Sequence, residues 1–336
     1  MKSYSAHSSP FGQTNPSPSF PRFHLVVILW GLLALSGWTT ADSAEAVYRI
    51  GVGRVDITPS YPVRLSGFGF RRAESDGVTQ AIWAKALVVD DQRSGPAILI
   101  TVDNLGIPAD ITLEVARRLQ TRRGIHPKRV SITATHTHSA PMLRGVAPTL
   151  FGIDIPKDHQ QRIDRYTNEL TDHLVAVAEN ALDDRKPGTL AWGIGSVGLA
   201  VNRRTPGGPV DHDLPVLIAR DPSGTIRALY CSYACHCVTL SANQINGDWA
   251  GYAQSAIESN HPEAIALVSI GCGADANPSS GVTGNDTAKA GEQGALIAAE
   301  VDRLIASPSR LKSITEPLST RLEGISLPFD RHPTRE

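Results

Sequence analysis

Hydrophobic residues change their spacing repeatedly along the chain, which indicates strands alternating with helices. The continuous apolar run Ala97–Val102 predicts a strand that is buried on both faces. Apolar residues then recur every four positions over 111–119, which predicts a helix with Asp110 as its N-cap and Gly124 at its end. The β-branched segment Arg129–Thr135 predicts the next strand. Strand, helix and strand at these spacings predict a βαβ unit with parallel strands.

The same alternation continues to the end of the chain, and we find no internal repeat. We therefore predict one α/β domain over residues 45–336, built on a mixed sheet with βαβ units and flanking helices. The other predicted helices are 162–183, 249–260 and 288–306. The other predicted strands are 189–202, 214–220, 226–234, 264–270 and 318–329, with a hairpin turn at 221–224.

The N-terminal segment has a different composition from the rest of the chain. Residues 1–24 are rich in serine and proline, and Leu25–Trp38 is an uncharged, mostly apolar run of 14 residues. That run is shorter than the roughly 20 residues that cross a bilayer. A basic start, a short apolar core and small residues after it are typical of a secretory signal peptide, which we predict over residues 1–44. We expect export to the periplasm or the medium; a retained N-terminal anchor is the alternative.

Composition excludes several classes of protein. Of the 336 residues, 41% are hydrophobic and 19% are charged, which is globular composition and excludes wholesale disorder and a multi-span membrane protein. The formal net charge of -1 does not favour nucleic acid as a partner. Four cysteines are too few for a disulfide scaffold.

Candidate metal ligands follow the predicted strand that starts at Arg129. His136 and His138 are separated by one residue, so in an extended chain both side chains point to one face. Neutral imidazole suits zinc, and ligand sites of open α/β sheets gather at the carboxyl ends of parallel strands. The pair therefore predicts a zinc site, with two exposed loop histidines as the alternative.

Further candidate residues lie at the ends of later strands. His236 ends an apolar strand and is either a zinc ligand or a satisfied core histidine. Asp275 lies in a glycine-rich loop that would hold an oxyanion or form an ordinary turn. Arg203 and Arg204 follow another strand and are candidates to hold an oxyanion or an anionic group. Asp248 is either a helix N-cap or a partner of a ligand histidine.

Seven segments, in this order, resemble the N-terminal domain of the neutral/alkaline non-lysosomal ceramidase family. They are GVGRVDITP, ILITVDNLG, ITATHTHSAP, NRRTP, ACHCVTL, GDWAGYA and GCGADANP, and they lie between residues 51 and 278. The resemblance implies a ceramidase-like catalytic domain, a zinc amidase that cleaves the N-acyl bond of sphingolipids. It implies His136 and His236 as zinc ligands, and His138 beside the substrate. It also implies Arg203 or Arg204 as the residue that assists at the carbonyl.

Two departures from the family pattern affect this expectation. The catalytic serine of the family falls on Ala276, so no serine-dependent step carries over, and Asp275 is the candidate substitute. The remaining zinc ligands of the family, a Glu and a Tyr, lie further along the chain than this sequence extends, so we expect a truncated catalytic domain.

Three interpretations therefore stay open at this point. The first is an exported zinc-dependent hydrolase of ceramide-like lipids, with a lipid or another N-acyl small molecule as substrate. The second is a related metal-dependent hydrolase of a different amide or ester. The third is a non-catalytic exported domain with the same fold. Peripheral membrane contact is an open expectation.

Overall fold

The computed structural model describes residues 48–147 and 149–328, and within them the chain forms four α-helices and thirteen strands. The helices are α1 (Ala109–Arg123), α2 (Lys157–Asp183), α3 (Asp248–Asn260) and α4 (Thr287–Ile305). The first strands are β1 (Tyr48–Asp56), β2 (Gly77–Val78), β3 (Trp83–Asp90), β4 (Ala97–Val102), β5 (Val130–Ala134), β6 (Lys186–Ser196) and β7 (Ala200–Asn202). The others are β8 (Asp213–Arg220), β9 (Ile226–Tyr233), β10 (Gln244–Ile245), β11 (Ile265–Ile270), β12 (Ala276–Pro278) and β13 (Lys312–Ile314).

The main sheet is mixed, as the sequence predicts. Its strand order is β11-β9-β8-β6-β1-β3-β4-β5, and β13 pairs with β6. Two of its neighbouring pairs are parallel: β4 with β5, connected through α1, and β9 with β11, connected through α3. The other pairs of this sheet are antiparallel, including the predicted hairpin of β8 and β9. The predicted βαβ units are thus confirmed, and each brings the carboxyl ends of two strands to one edge.

The sheet curls over itself. Strand β11 is the far end of the strand order, yet it contacts β3, β4 and β5. An inner hydrophobic core lies between the two halves, where Leu87 of β3 and Leu267 of β11 are both buried. Helices α1 and α2 bury a second core against one half of the sheet, and α3 and α4 bury a third core against the other. The curl brings the ends of the two parallel pairs towards each other.

Helix α2 packs unusually close to β1. A Cβ atom at Gly51 would lie 1.8 Å from the carbonyl oxygen of Ala181 in α2, so only glycine permits this approach. The glycines of the Gly51-Val-Gly53 segment therefore serve helix–sheet packing.

Several predicted boundaries were wrong. Asp110 is not the N-cap of α1, because Pro108 holds that position and makes no side-chain cap bond, whereas Gly124 does end the helix, with φ at 69°. Predicted strand 189–202 divides into β6 and β7. No strand forms over 318–328; instead, the backbone N–H of Leu318 donates to the carboxylate of Asp91.

The predicted signal peptide over residues 1–44 lies outside the described residues. None of the helices in the described part combines the length and the apolar composition that crossing a bilayer requires.

Candidate metal centre

Three histidines come together where the two parallel strand pairs end. His136 and His138 follow β5, and His236 follows β9. The ring centroid of His136 lies 5.0 Å from that of His138 and 4.8 Å from that of His236. One ligand nitrogen from each ring lies within 4.8 Å of the others, and the Nε2 atoms of His136 and His138 are 3.4 Å apart. The structure thus brings the two predicted zinc ligands together with the predicted catalytic histidine.

Each of these rings makes the same kind of hydrogen bond. The Nδ1 atom of every ring contacts a backbone carbonyl oxygen: Leu105 for His136 (2.6 Å), Gly67 for His138 (3.1 Å) and Gly273 for His236 (2.8 Å). A carbonyl oxygen can only accept, so each Nδ1 carries the proton and each Nε2 keeps a free lone pair. Such a bond also fixes the orientation of the ring, as it does for histidines that bind metals. The three histidines therefore offer three oriented nitrogen donors.

The backbone around the first two histidines differs from the extended chain that we expected. His136 has a φ of 62°, in the left-handed region that non-glycine residues rarely adopt. The backbone N–H of His138 donates to the carbonyl oxygen of Cys237, 3.1 Å away, and so joins this segment to the chain that carries His236. The two rings meet through a strained turn and not through strand alternation. Strain of this kind is concentrated at functional sites.

Gly67 is required by the ring of His138. Its φ is 93°, and a Cβ atom there would lie 2.6 Å from atoms of the His138 ring. Only glycine therefore lets the Gly67 carbonyl reach Nδ1 of this ring. No signal in the sequence marked Gly67 or Leu105 as a partner of a histidine.

Asp248 supports the chain that follows His236. Its side chain is fully buried, and its carboxylate accepts hydrogen bonds from the backbone N–H groups of Thr239 (3.2 Å), Leu240 (2.8 Å) and Trp249 (2.7 Å). Its described hydrogen bonds include none to a histidine ring, and Gly247 holds the N-cap position of α3, so neither role considered for Asp248 in the sequence is the observed one. Burial raises the pKa of Asp248 to about 6, against the opposing effect of these hydrogen bonds. The residue fixes the course of the loop beside the cluster.

Burial also sets the protonation of the histidines. It lowers the pKa of His138 to about 3, with the neighbouring imidazoles adding to the effect. Burial lowers the pKa of His136 and of His236 as well; the carbonyl bond opposes this in each ring, and the charge of Arg203 adds to it. All three rings are therefore neutral near pH 7. Neutral imidazole is the form that binds a metal ion.

The other predicted site residues are Arg203, Arg204 and Asp275, and their described hydrogen bonds are to residues outside the histidine cluster. Arg203 is exposed and donates from Nε to the carbonyl oxygen of Ala274, 3.0 Å away, in the loop that follows β11. Arg204 is exposed, and its backbone N–H donates to Asn202. Asp275 accepts from the side chain of Asn202 at 3.1 Å. The charge of Arg203 lowers the pKa of His136 and of His236, whereas Asp275 is hydrogen-bonded to Asn202 of β7.

Three backbone N–H groups of the loop over 271–276 already donate hydrogen bonds to backbone carbonyl oxygens. The N–H of Gly271 donates to Tyr233, that of Gly273 to Gly271, and that of Ala276 to Gly273. These three amides are therefore occupied and do not form the oxyanion site that the glycine-rich sequence suggested. Ala276 itself is buried, and its carbonyl oxygen accepts the backbone N–H of His236 at 2.8 Å.

Comparisons with known proteins identify the family of the chain. Residues 48–272 match the sequence model of "Neutral/alkaline non-lysosomal ceramidase, N-terminal". The chain is 35% identical over 113 residues to the neutral ceramidase of Drosophila pseudoobscura pseudoobscura, covering 33% of this chain and 16% of that protein. It is 29% identical over 179 residues to the neutral ceramidase of Pseudomonas aeruginosa, covering 52% of this chain and 26% of that protein.

Solved structures share the fold. The crystal structure of neutral ceramidase from Pseudomonas aeruginosa superposes with a TM-score of 0.69 at 22% identity, over 80% of this chain and 46% of that one. A structure described as ceramidase complexed with C2 gives a TM-score of 0.68 at 22% identity, over 80% of this chain and 45% of that one. The chain thus spans less than half of the proteins it matches. Since the family match extends over residues 48–272, more than half of the sequence, the chain belongs to the neutral/alkaline non-lysosomal ceramidase family.

Proposed function

We propose that this chain is the N-terminal, catalytic part of a zinc-dependent amidohydrolase that cleaves the N-acyl bond of ceramide-like sphingolipids. Membership of the ceramidase family supports the reaction and the substrate class. One observation carries the proposal: each of three neutral imidazoles is oriented by a backbone carbonyl and offers its Nε2 atom to the same small volume.

The donor set fits zinc. Zinc prefers neutral imidazole nitrogens, and catalytic zinc sites combine about three protein ligands with an open position. Following the family resemblance, His136 and His236 would hold the ion. When bound, zinc would polarise the amide carbonyl and make water a stronger nucleophile near neutral pH.

The chain's own side chains divide the remaining tasks. The Nε2 atom of His138 has a free lone pair 3.4 Å from that of His136, so its position suits it to accept a proton at the cluster. Once protonated, it would return that proton to the leaving amine. Arg203 would stabilise the developing oxyanion, because its positive charge acts on His136 and His236. It is favoured over Arg204 for this role because its side chain contacts Ala274 in the loop that follows β11. Through the hydrogen bond that it accepts from Asn202, Asp275 would hold the loop over 271–276 in position.

Metal analysis of purified variants tests the proposal. We expect His136→Ala and His236→Ala to lose most of their zinc, because a removed ligand weakens binding steeply. His138→Ala should keep its zinc and lose turnover of a ceramide. His212→Ala is the matched control, since His212 is an exposed histidine outside the cluster. Unchanged zinc in both ligand variants would refute the site, and loss of zinc in His138→Ala would make that ring a ligand.

A second candidate function rests on Ala276. The alanine removes the hydroxyl that the family places in this loop, which favours a related hydrolase of a different amide or ester. Comparing turnover of N-acyl lipids, N-acyl amino acids and N-acyl sugars separates the two. A ceramide should be the best substrate, and a hundredfold preference for a non-lipid amide would select the alternative.

We also propose that the protein is exported, because residues 1–44 have the sequence of a signal peptide. N-terminal sequencing of the protein recovered from the periplasm or the medium should find a start near residue 45. Recovery of the uncleaved chain with the membrane fraction would support the retained anchor instead.

A further inference from the structure

Two aromatic side chains extend outward from the histidine cluster. The ring of Phe68 lies 5.2 Å from that of His138, centroid to centroid, and meets it edge-on. The ring of Phe70 lies a further 5.2 Å from that of Phe68. Exposure rises along this series, from the partly buried His138 and Phe68 to Phe70, whose surface is 64% exposed. We call Phe68 and Phe70 the aromatic track.

The inner half of the track is held in place. The guanidinium of Arg71 lies 4.9 Å from the centroid of the Phe68 ring. Arg71 is buried and donates to the carbonyl oxygens of Ser66 (2.8 Å), His138 and Ala242 (2.8 Å). Phe68 therefore packs against a fixed base, and its orientation towards His138 does not depend on a ligand.

The outer half of the track is not covered by the described part of the chain. Most of the Phe70 side chain is exposed to water, which is unfavourable for an aromatic ring of this size. A single exposed apolar residue is ordinary on a protein surface. Here, however, the exposed ring continues a path of aromatic surface that begins at a candidate catalytic histidine. That continuity indicates a ligand that is apolar and extended, and whose reacting end lies at the cluster.

We propose that the aromatic track receives the acyl chain of the substrate and so selects long-chain over short-chain N-acyl lipids. This inference rests on the proposed function, since it assigns the amide to the histidine cluster. An acyl chain that leaves the amide along Phe68 would reach Phe70 only if it is long. A two-carbon acyl group would end before Phe70, so that ring contributes to the binding of long chains alone.

Paired substrates test the proposal on the full chain. We expect Phe70→Ala to lower kcat/KM for a ceramide with a 16-carbon acyl chain about tenfold, the effect of uncovering roughly two methylene groups. For the ceramide with a two-carbon acyl chain, the change should stay below about twofold. Leu113→Ala is the matched control, because Leu113 is 66% exposed on α1. Equal losses for both substrates, or none for either, would overturn the proposal.

Contact with a membrane surface is the competing explanation for an exposed phenylalanine, and the same variant separates it. The assay is repeated with the substrate in detergent micelles and in phosphatidylcholine vesicles. A chain-length effect that persists in micelles supports the track. An effect confined to vesicles, with weaker co-sedimentation of Phe70→Ala, would overturn it in favour of a membrane contact.

A binding measurement separates this inference from the proposed function. Quenching of a fluorescent 18-carbon polyene fatty acid reports on chain binding without turnover. We expect Phe70→Ala to raise its Kd about tenfold, whereas Leu113→Ala leaves it unchanged. A wild-type protein that binds this probe through Phe70 but cleaves no amide would refute the proposed reaction and keep the track. A protein that cleaves ceramide, and whose probe binding is unchanged in Phe70→Ala, would refute the track and keep the proposed reaction.

Discussion

Replacing Asp248 should show how much of the stability of this protein lies in the loop beside the histidine cluster. The carboxylate is fully buried and accepts three backbone N–H bonds, from Thr239, Leu240 and Trp249. The backbone of Asp248 has a φ of 55°, which aspartate and asparagine tolerate better than alanine does. Asp248→Ala therefore removes an acceptor and adds backbone strain, whereas Asp248→Asn keeps one acceptor oxygen and suits the backbone.

The structure sets the size of the effect. Each buried N–H group left without a partner costs about 1–3 kcal/mol. Three such groups predict that Asp248→Ala lowers the free energy of unfolding by at least about 3 kcal/mol, a large part of the roughly 5–15 kcal/mol available to a typical domain. Asp248→Asn should lose less, about 1–3 kcal/mol, because its remaining oxygen still accepts.

The raised pKa of Asp248 gives this prediction a second, independent signature. Its folded-state pKa of about 6 lies above the unfolded value near 4, so the folded protein holds the proton more tightly than the unfolded chain does. The resulting stability is fully present below about pH 4 and is lost as the pH rises through about 6. Two pKa units correspond to about 3 kcal/mol in total, of which the wild-type protein should lose about 2 kcal/mol relative to Asp248→Asn between pH 4 and pH 7.

Urea unfolding in the presence of a chelator, followed by tryptophan fluorescence at several pH values, measures both quantities. Asp154→Asn is the matched control, since Asp154 is an exposed carboxylate. A loss below about 1 kcal/mol for Asp248→Ala would contradict the role assigned to the three hydrogen bonds. A difference between wild type and Asp248→Asn that does not change with pH would contradict the pKa shift.

Other substitutions and conditions test further parts of the structure. Gly67→Ala should keep its zinc and lower turnover of a ceramide severalfold, because the added Cβ would lie 2.6 Å from the ring of His138, the proposed proton acceptor; a kinetic assay combined with metal analysis checks this, and unchanged turnover would contradict it. Lys85→Ala should destabilise the fold by roughly 3–5 kcal/mol in urea unfolding, because it leaves Glu258 without its buried partner at 2.6 Å; Lys85→Ala combined with Glu258→Ala should recover part of the loss. The low pKa of His138 means that its stability contribution is present above the unfolded pKa near 6.5 and lost as the pH falls. Metal-free protein should therefore lose about 2 kcal/mol at this site between pH 8 and pH 5, and His138→Gln should not.

The sequence predicted the features of this fold that depend on local pattern. The run Ala97–Val102 and the β-branched segment after it form the parallel pair β4 and β5, with Gly124 ending the helix between them. His136 and His236 could be placed at strand ends because parallel strands present their carboxyl ends at one edge. The pairing of His136 with His236, which are 100 residues apart in the chain, followed only from the family resemblance, because the strand ends alone left His236 open as a core histidine.

Contacts between distant loops could not be predicted in the same way. The carbonyl groups that orient the rings belong to Leu105, Gly67 and Gly273, and a backbone carbonyl leaves no trace in the residue type. The curl of the sheet depends on twist accumulated over many strands, which no single segment encodes. Asp110 failed as an N-cap because Pro108 already starts the helix with a fixed φ.

Hydrogen bonds join the histidine cluster to the loop over 236–249. Substitutions within this unit should therefore affect both stability and zinc binding, whereas substitutions outside it should not. Cys237 accepts the backbone N–H of His138, the indole of Trp249 donates to the carbonyl oxygen of His236 at 2.9 Å, and Asp248 holds the chain between them. A substitution at Asp248 should therefore lower unfolding free energy and zinc affinity together. Phe70 lies outside this unit and is largely exposed, so its substitution should change chain-length preference while both other quantities stay at their wild-type values.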